Sequence, residues 1–255
     1  PTVETEDGDG YDRIYSSAFD DYYVRVVGND DFPDLLVGRF PVESSEQVEV
    51  ILNKIKQYES SKNFGAWRHT LVLVSDDNLP SGEGGGFLGQ SEDLINDFLP
   101  TWTENKKIYL GAYPSEVTGT GTKPAAAQDL LTYLNRGAVM VNWVGHGNPN
   151  VWGHESVLQK DALIPKLTND SMLTFVSAVT CNFGRFDDPA NPSGGELFLL
   201  HEGGGAIGEL ATTRGVFIGD NEQLMREYFS KLFARDSATL QFLNVGQAML
   251  AAKTR

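Results

Sequence analysis

Two strongly apolar runs, each followed by a short polar turn, constrain the fold of this chain more than any other feature. The first run covers residues 138–143 (AVMVNW) and the second covers residues 172–176 (MLTFV). Near-continuous apolar runs of this length are typical of strands that are buried on both faces of a parallel sheet. Both runs are therefore predicted to be strands of one α/β sheet.

Along the rest of the chain, predicted strands and helices alternate. Further strands are predicted at 22–27, 34–40, 69–75, 108–112 and 205–210. Helices are predicted at 46–58, 91–98, 124–135, 161–167, 194–201, 222–233 and 240–253. Ser44 or Ser45 is suited to cap the first helix, and Pro124 is suited to open the third. This order predicts a three-layer α/β/α sandwich with a mainly parallel sheet.

The composition limits the classes of function. The chain has 255 residues, of which 40% are apolar, and no apolar run is long enough to span a membrane. Its net charge of −15 argues against a nucleic-acid partner, because no basic stripe is present to neutralise phosphates. A single cysteine excludes an internal disulfide and a cysteine-rich zinc site. The chain begins at Pro1 without an initiator methionine or a signal peptide, which we interpret as a segment of a longer precursor.

The turn after each apolar run carries a residue suited to covalent catalysis. His146 follows the first run, and Cys181 follows the second, 35 positions later. Because the carboxyl ends of parallel strands meet at one edge of a sheet, we expect the two side chains to face one another. A thiol beside an imidazole is the arrangement of a cysteine peptidase. The alternative is that residues 145–147 form a simple turn and that Cys181 is a small core residue.

The glycines around His146 favour the catalytic interpretation. Gly147 lets the chain turn tightly and bring its N–H close to a substrate carbonyl. Together with the N–H of Cys181, it would form an oxyanion hole with two donors. Losing one donor of such a hole typically lowers the rate by about 10²–10³-fold, so catalysis would need both N–H groups.

Several stretches carry a family resemblance that covers nearly the whole chain. Residues 142–147 (NWVGHG), followed by 151–153 (VWG), resemble the histidine motif of gingipain-type cysteine peptidases of clan CD, relatives of caspases and legumain. Residues 180–189 (TCNFGRFDDP) resemble their cysteine motif. Residues 37–42 and 54–59 resemble the stretch that precedes the catalytic region. Within this group, the chain most resembles the PorU-type sortases of the bacterial type IX secretion system.

The resemblance implies a role for each matched residue and a caspase-like fold. It implies Cys181 as the nucleophile and His146 as the general acid. In gingipains a carboxylate at the end of an earlier strand orients the histidine, and Asp77 matches that position, with Asp76 as the alternative. Asp77 could instead be a strand-end cap or a calcium ligand. The resemblance further implies that residues 1–60 are the remnant of an N-terminal subdomain and that residues 61–255 are the catalytic subdomain.

Three functions follow as expectations. The first is a sortase at the bacterial outer membrane or cell surface, or a secreted one. It would remove the C-terminal signal domain of protein cargo, transfer the cargo to a lipopolysaccharide amine, and work with other type IX secretion components. The second is a plain secreted gingipain-like endopeptidase. The third is a non-catalytic binding domain that keeps the fold. No cofactor is required in any of them.

Other residues have two interpretations each. Trp152, just past the histidine, lines the substrate cleft or lies in the core. Asp187 and Asp188, with Asn191, bind Ca²⁺ through oxygen ligands or cap the loop beside the active site. The pairs at 154–155 and 201–202 (both HE) do not extend to a zinc motif, which favours surface or structural roles.

The S1 pocket is expected to differ from that of arginine-cleaving gingipains, which have an acidic residue at its base. The matching positions, ten and eleven residues after Asp77, are Phe87 and Leu88. Glu83 is nearby but lies in a glycine-rich loop. This departure predicts a small or polar P1 residue.

Overall fold

The computed structural model describes residues 2–3, 17–77, 86–116, 121–235 and 240–254. Its strands are β1 (Thr2–Val3), β2 (Ser17–Ala18), β3 (Thr70–Ser75), β4 (Glu104–Tyr109), β5 (Met140–Val144), β6 (Val151–Trp152), β7 (Leu158–Gln159), β8 (Thr174–Val179) and β9 (Ala206–Ala211). Its α-helices are α1 (Ser45–Glu59), α2 (Phe87–Phe98), α3 (Pro124–Arg136), α4 (Lys160–Leu163), α5 (Gly194–Leu200), α6 (Ile218–Leu232) and α7 (Val245–Lys253). Short 3₁₀ helices cover Asp20–Val24, Ser61–Asn63, Ala66–His69, Leu110–Ala112 and Ile164–Lys166.

A five-stranded parallel sheet in the order β4-β3-β5-β8-β9 organises the larger of two units, which comprises residues 41–92 and 101–216. All residues of β3 and β5 are buried. Because successive side chains of a strand point to opposite faces, such burial requires a covering layer on each face. The predicted α/β sandwich with a mainly parallel sheet is confirmed.

Helix α3 supplies much of the core on one face of this sheet. Ala126, Leu130 and Leu134 recur every four residues, are fully buried, and belong to the same apolar cluster as the sheet residues Val72 and Trp143. That spacing places them on one side of the helix. The helix begins at Pro124, as predicted, since the missing N–H of proline costs nothing in the first turn.

Two predicted strands near the start of the chain are wrong. The segments predicted at 22–27 and 34–40 contain no strand; a 3₁₀ helix at Asp20–Val24 precedes irregular chain. The reason is Asp34, whose carboxylate accepts the N–H groups of Val26 and Val27 at 2.7 and 2.8 Å. Asp34 also donates its own N–H to the carbonyl of Val24 at 2.9 Å. These local bonds use backbone groups that a sheet would otherwise pair.

The smaller unit comprises residues 1–40, 93–100 and 217–255. Helices α6 and α7 pack together in it, with Tyr228 and Phe229 buried. Arg226 bonds to Asp97 at 2.7 Å. The predicted subdomain boundary at residue 60 stays a prediction. In the part of the chain that the structure describes, no helix has the length and apolar character needed to cross a bilayer.

A buried lysine joins α1 to the end of α5. The Nζ atom of Lys54 donates to the carbonyls of Leu199 at 2.7 Å, Phe198 at 3.1 Å and Ala206 at 3.4 Å. The first two belong to the last turn of α5, where carbonyls lack helical partners. Burial lowers the pKa of Lys54 to about 7, whereas the three acceptors favour the charged form.

Replacing Lys54 should therefore destabilise the protein. In Lys54→Met, three buried carbonyl oxygens lose a donor, and we expect the free energy of unfolding to fall by about 1–3 kcal/mol. Chemical denaturation of the variant and wild type measures this difference. Lys56→Met, on an exposed position of the same helix, is the matched control and should change the free energy by less than about 0.5 kcal/mol. Equal effects of the two substitutions would contradict the role of Lys54.

A buried carboxyl group on β9 gives the fold a pH dependence. The carboxyl of Glu209 packs against the backbone of Gly195 in α5, where an added Cβ would come within 2.3 Å of an oxygen. Burial, with a smaller contribution from Glu196, raises the pKa of Glu209 to about 8. The folded state therefore holds a proton that the unfolded state releases near pH 4.

The stability that this proton supplies should be complete below about pH 4 and should be lost as the pH rises towards 8. Glu209→Gln keeps the shape of the side chain but cannot ionise, so its melting temperature should decline less over that range. Thermal melts at several pH values measure the slope. Glu202→Gln, at an exposed position, should keep the wild-type slope. A Glu209→Gln slope equal to that of wild type would show that this group does not titrate as described.

Candidate active site

The strands place His146 and Cys181 at equivalent positions on neighbouring strands. Val144, the last residue of β5, is in register with Val179, the last residue of β8. Each strand is followed two residues later by one of the two predicted catalytic residues. Adjacent strands lie about 4.8 Å apart, so the two turns lie side by side at the carboxyl edge of the sheet.

The two turns are also in direct contact. Gly147 lies so close to Thr180 that a Cβ on the glycine would come within 2.5 Å of the threonine Oγ1. Only glycine fits there without a shift of the cysteine turn. In the described part of the chain, neither the N–H of Gly147 nor that of Cys181 donates a hydrogen bond. Both donors are thus available for a ligand, as the predicted oxyanion hole requires, and that role stays a prediction.

Cys181 is a free, partly exposed thiol rather than a core residue. Its Sγ accepts the N–H of Val216 at 3.4 Å and lies 3.8 Å from the carbonyl of the same residue. The next residue, Asn182, has a φ of +62°, and its N–H donates to the carbonyl of Arg214 at 3.2 Å. This left-handed residue turns the chain sharply just after the sulfur.

The backbone of His146 is fixed on both sides. Its N–H donates to Oδ2 of Asp76 at 2.8 Å. Its carbonyl accepts the N–H of Gly153 at 2.9 Å and the indole N–H of Trp143 at 3.2 Å. The imidazole stands edge-on to the ring of Phe87, with 5.4 Å between the ring centroids.

The two acidic residues at the end of β3 have different partners. The carboxylate of Asp77 forms a buried ion pair with Lys123, whose Nζ also donates to the carbonyl of Leu110 at 2.7 Å. Asp76, which sequence reasoning held as the alternative, contacts His146 through the backbone N–H. The orienting role predicted for Asp77 stays a prediction, and its partner Lys123 was not foreseen.

Glu155 completes a buried group of carboxylates with Asp76 and Asp77, within which ligand oxygens lie inside 4.8 Å of one another. Burial, opposed in part by the His146 N–H and supported by Glu155, raises the pKa of Asp76 to about 7. The spacing would suit a divalent cation. Lys123, however, already supplies a positive charge at Asp77.

The loop after Cys181 is held by cationic side chains. Arg214 bonds to both carboxylate oxygens of Asp187, at 2.9 and 2.6 Å, and these bonds keep the pKa of Asp187 below its ordinary value. Arg185 lies 3.3 Å from Asp188. Lys160 donates to Oδ1 of Asn191 at 2.6 Å. These side chains would compete with a metal for the three predicted Ca²⁺ ligands, and the choice between a Ca²⁺ site and a loop cap stays a prediction.

The cleft-lining interpretation of Trp152 is corrected by its burial. The side chain is fully buried and stacks on Trp143, with 5.6 Å between ring centroids and 4° between ring planes. Phe183 and Phe198 surround it, so the residue belongs to the core and cannot touch a substrate.

The histidines of the two HE pairs and the residues expected at the S1 base lie in different environments. His154 is exposed, and its ring centroid lies 5.5 Å from that of His146. His201 has a structural role, since its Nε2 lies 2.9 Å from the carbonyl oxygen of Leu167. At the positions expected to form the S1 base, Phe87 is buried and Leu88 is exposed. Glu83 lies outside the described residues.

Comparison with known proteins identifies the family. The model of peptidase family C25 matches residues 1–255. The chain belongs to peptidase family C25. Gingipain R2 of Porphyromonas gingivalis is 28% identical over 169 residues, which is 66% of this chain and 21% of the relative.

Solved structures confirm the gingipain-like fold. The crystal structure of the Arg-specific cysteine proteinase gingipain R matches with a TM-score of 0.74 and 21% identity, covering 93% of this chain and 52% of that one. A complex of the pro- and mature domains of the Porphyromonas gingivalis gingipain RgpB matches with a TM-score of 0.71 and 19% identity, over 93% and 54%. The chain thus spans about half of these structures and about a fifth of the curated relative.

Sequence reasoning missed the charged residues that support the site. Lys123 precedes a helix-opening proline and gave no signal. Glu155 was considered only as half of a zinc-like pair. Arg214 was not singled out as a charge partner. A charged residue whose partner is distant in sequence can be found only once the fold brings the two together.

The buried ion pair beneath the site predicts a large effect on stability. In Lys123→Met the carboxylate of Asp77 stays buried without its charge partner, and the free energy of unfolding should fall by about 3–5 kcal/mol. Chemical denaturation measures this loss. Lys106→Met removes a partly exposed pair with Glu104 and is the matched control, with an expected change below about 1 kcal/mol. A loss for Lys123→Met no larger than the control would contradict a buried, paired Asp77.

Proposed function

We propose that this protein is a cysteine endopeptidase or transpeptidase that uses Cys181 and His146. The observation that carries the proposal is the paired position of the two residues: a partly exposed thiol and an imidazole, each two residues beyond the register-matched ends of β5 and β8. The available N–H groups of Gly147 and Cys181 support it. Membership of a cysteine peptidase family supports it independently.

In the proposed reaction, the thiolate of Cys181 forms a bond to the scissile carbonyl carbon, and an electron pair moves onto the carbonyl oxygen. The N–H groups of Gly147 and Cys181 would stabilise that charge. When the carbonyl re-forms, the C–N bond breaks, and the His146 imidazolium gives its proton to the departing amine. Water or a second amine then attacks the thioester and loses a proton to His146, and the Cys181 thiolate leaves.

The more specific proposal is a PorU-type sortase of a type IX secretion system. It would remove the C-terminal signal domain from cargo and transfer the cargo to an amine on lipopolysaccharide, at the outer membrane or cell surface. The motif resemblance over residues 180–189 supports it. A plain gingipain-like peptidase, secreted and resolving the thioester with water, is equally consistent with the family and the fold.

The residues near His146 favour a P1 preference unlike that of the Arg-specific relative. Phe87 and Leu88 occupy the positions matched to the acidic base of an arginine pocket. An apolar pair there offers no carboxylate to a guanidinium. We propose a small or polar P1 residue for this chain.

Mass spectrometry of cleavage products tests the proposed function. The protein, with its adjoining segments, is incubated with a peptide that spans a cargo and signal-domain junction, with and without glycine as the amine. Products with glycine on the new C-terminus would establish transpeptidation, and water alone would establish hydrolysis. Cys181→Ala and His146→Ala should each abolish cleavage, whereas His69→Ala, at an exposed histidine, should not. Cleavage that persists in Cys181→Ala, or no cleavage by any form, would reject this assignment and favour the binding domain.

A further inference from the structure

Beneath the histidine turn, Asp76 and Glu155 bring two carboxyl groups together in the protein interior. Asp76 is 4% exposed and Glu155 is 7% exposed. Among the described contacts, the nearby ammonium group of Lys123 bonds to Asp77 and to the carbonyl of Leu110. The Asp76 and Glu155 pair therefore has no cation of its own in the described part of the chain.

Two adjacent carboxyl groups in a site that excludes water cannot both ionise at low cost. One proton held between them removes the repulsion and forms a strong hydrogen bond. The raised pKa of Asp76, caused by burial and by Glu155, agrees with this state. The Oε2 atom of Glu155 is buried and has no donor among the described groups, which a shared proton would also explain.

Hydrogen bonds from the backbone hold Asp76 in place beside Glu155. Asp76 accepts two backbone N–H groups, from His146 at 2.8 Å and from Asp77 at 3.0 Å. These two donors lower the pKa of Asp76, but burial and Glu155 together outweigh them and raise it. The shared proton bridges Asp76 and Glu155 while both of these N–H bonds to Asp76 are kept.

Glycines on both sides fix the geometry of the pair. A Cβ on Gly145 would lie 2.7 Å from Oδ2 of Asp76, and a Cβ on Gly153 would lie 3.0 Å from Oε2 of Glu155. Gly153 has a φ of +70°, and its N–H donates to the carbonyl of His146. The turn that carries Glu155 and the turn that carries His146 are therefore joined at the carboxyl pair.

We propose that Glu155 is a positioning residue for His146: it shares one proton with Asp76, and the bonded pair holds the backbone of the histidine turn. The inference rests on the proposed function for its catalytic consequence. Among the described charged and titratable groups, Asp77 lies within 4.8 Å of the pair, Lys123 bonds to Asp77, His146 bonds to Asp76 through its backbone N–H, and His154 precedes Glu155 in the chain. Since Asp77 and Lys123 neutralise one another, loss of the shared proton leaves two repelling carboxylates beside the histidine turn.

The first test measures amide hydrogen exchange in peptides that contain residues 145–154, after correction for intrinsic rates. Glu155→Ala removes one of the two carboxyl groups that share the proton and should speed exchange there by about tenfold or more, the change expected for loss of about 1.4 kcal/mol. Glu155→Gln retains an N–H donor and should stay within about threefold of wild type, as should the exposed control Glu202→Gln. This readout does not require activity, so it tests the carboxyl pair even if the proposed function is wrong.

The second test measures kcat and the rate of Cys181 alkylation by iodoacetamide between pH 6 and 9. Glu155→Ala should lower kcat by up to about 10²-fold, as expected for a misplaced catalytic group, while KM changes little. Glu155→Gln should have a kcat close to that of wild type. The part of the fall in kcat at high pH that comes from ionisation of the carboxyl pair should be absent in this variant. Equal losses in the Ala and Gln variants, or unchanged exchange in Glu155→Ala, would overturn the inference.

Discussion

The register of β5 against β8 is the constraint on which the rest of the site depends. Val144 lies opposite Val179, and the parallel direction of the strands brings both chain ends to the same edge of the sheet. A slip of one residue would turn each side chain to the other face and separate the histidine from the cysteine. Trp143, Val141 and Ala178 are buried in one apolar cluster, which opposes such a slip.

Close backbone approach is the second requirement. Gly147 packs on Thr180 and Gly145 packs on Asp76, each too tightly for a Cβ. These contacts bring the histidine turn against the cysteine turn and against the buried carboxyl group. Charged side chains also hold the turns: Lys123 forms an ion pair with Asp77, and Arg214 forms one with Asp187. These two ion pairs hold the turns in place at this edge of the sheet, while the N–H groups of Gly147 and Cys181 are left available for a ligand.

Prediction from sequence succeeded where the signal was local. The apolar runs predicted the central strands, Ser44 accepts the N–H of Gln47 as a helix cap, and α3 begins at Pro124. It failed over residues 22–40, because the Asp34 carboxylate bonds to nearby backbone groups instead of leaving them for a sheet. It left Trp152 between core and cleft, since an aromatic residue after a turn has the same sequence signature in both places.

The sequence alone determined that this chain is an α/β protein with a histidine and a cysteine at the ends of two buried strands. Periodicity, turn residues and motif spacing are properties of neighbouring residues, so they can be read without a fold. Only the tertiary structure decided which acid contacts His146, that Lys123 pairs with Asp77, and that Glu155 lies beside Asp76. Those contacts join residues 46 to 79 positions apart, and no local pattern encodes a partner at that distance.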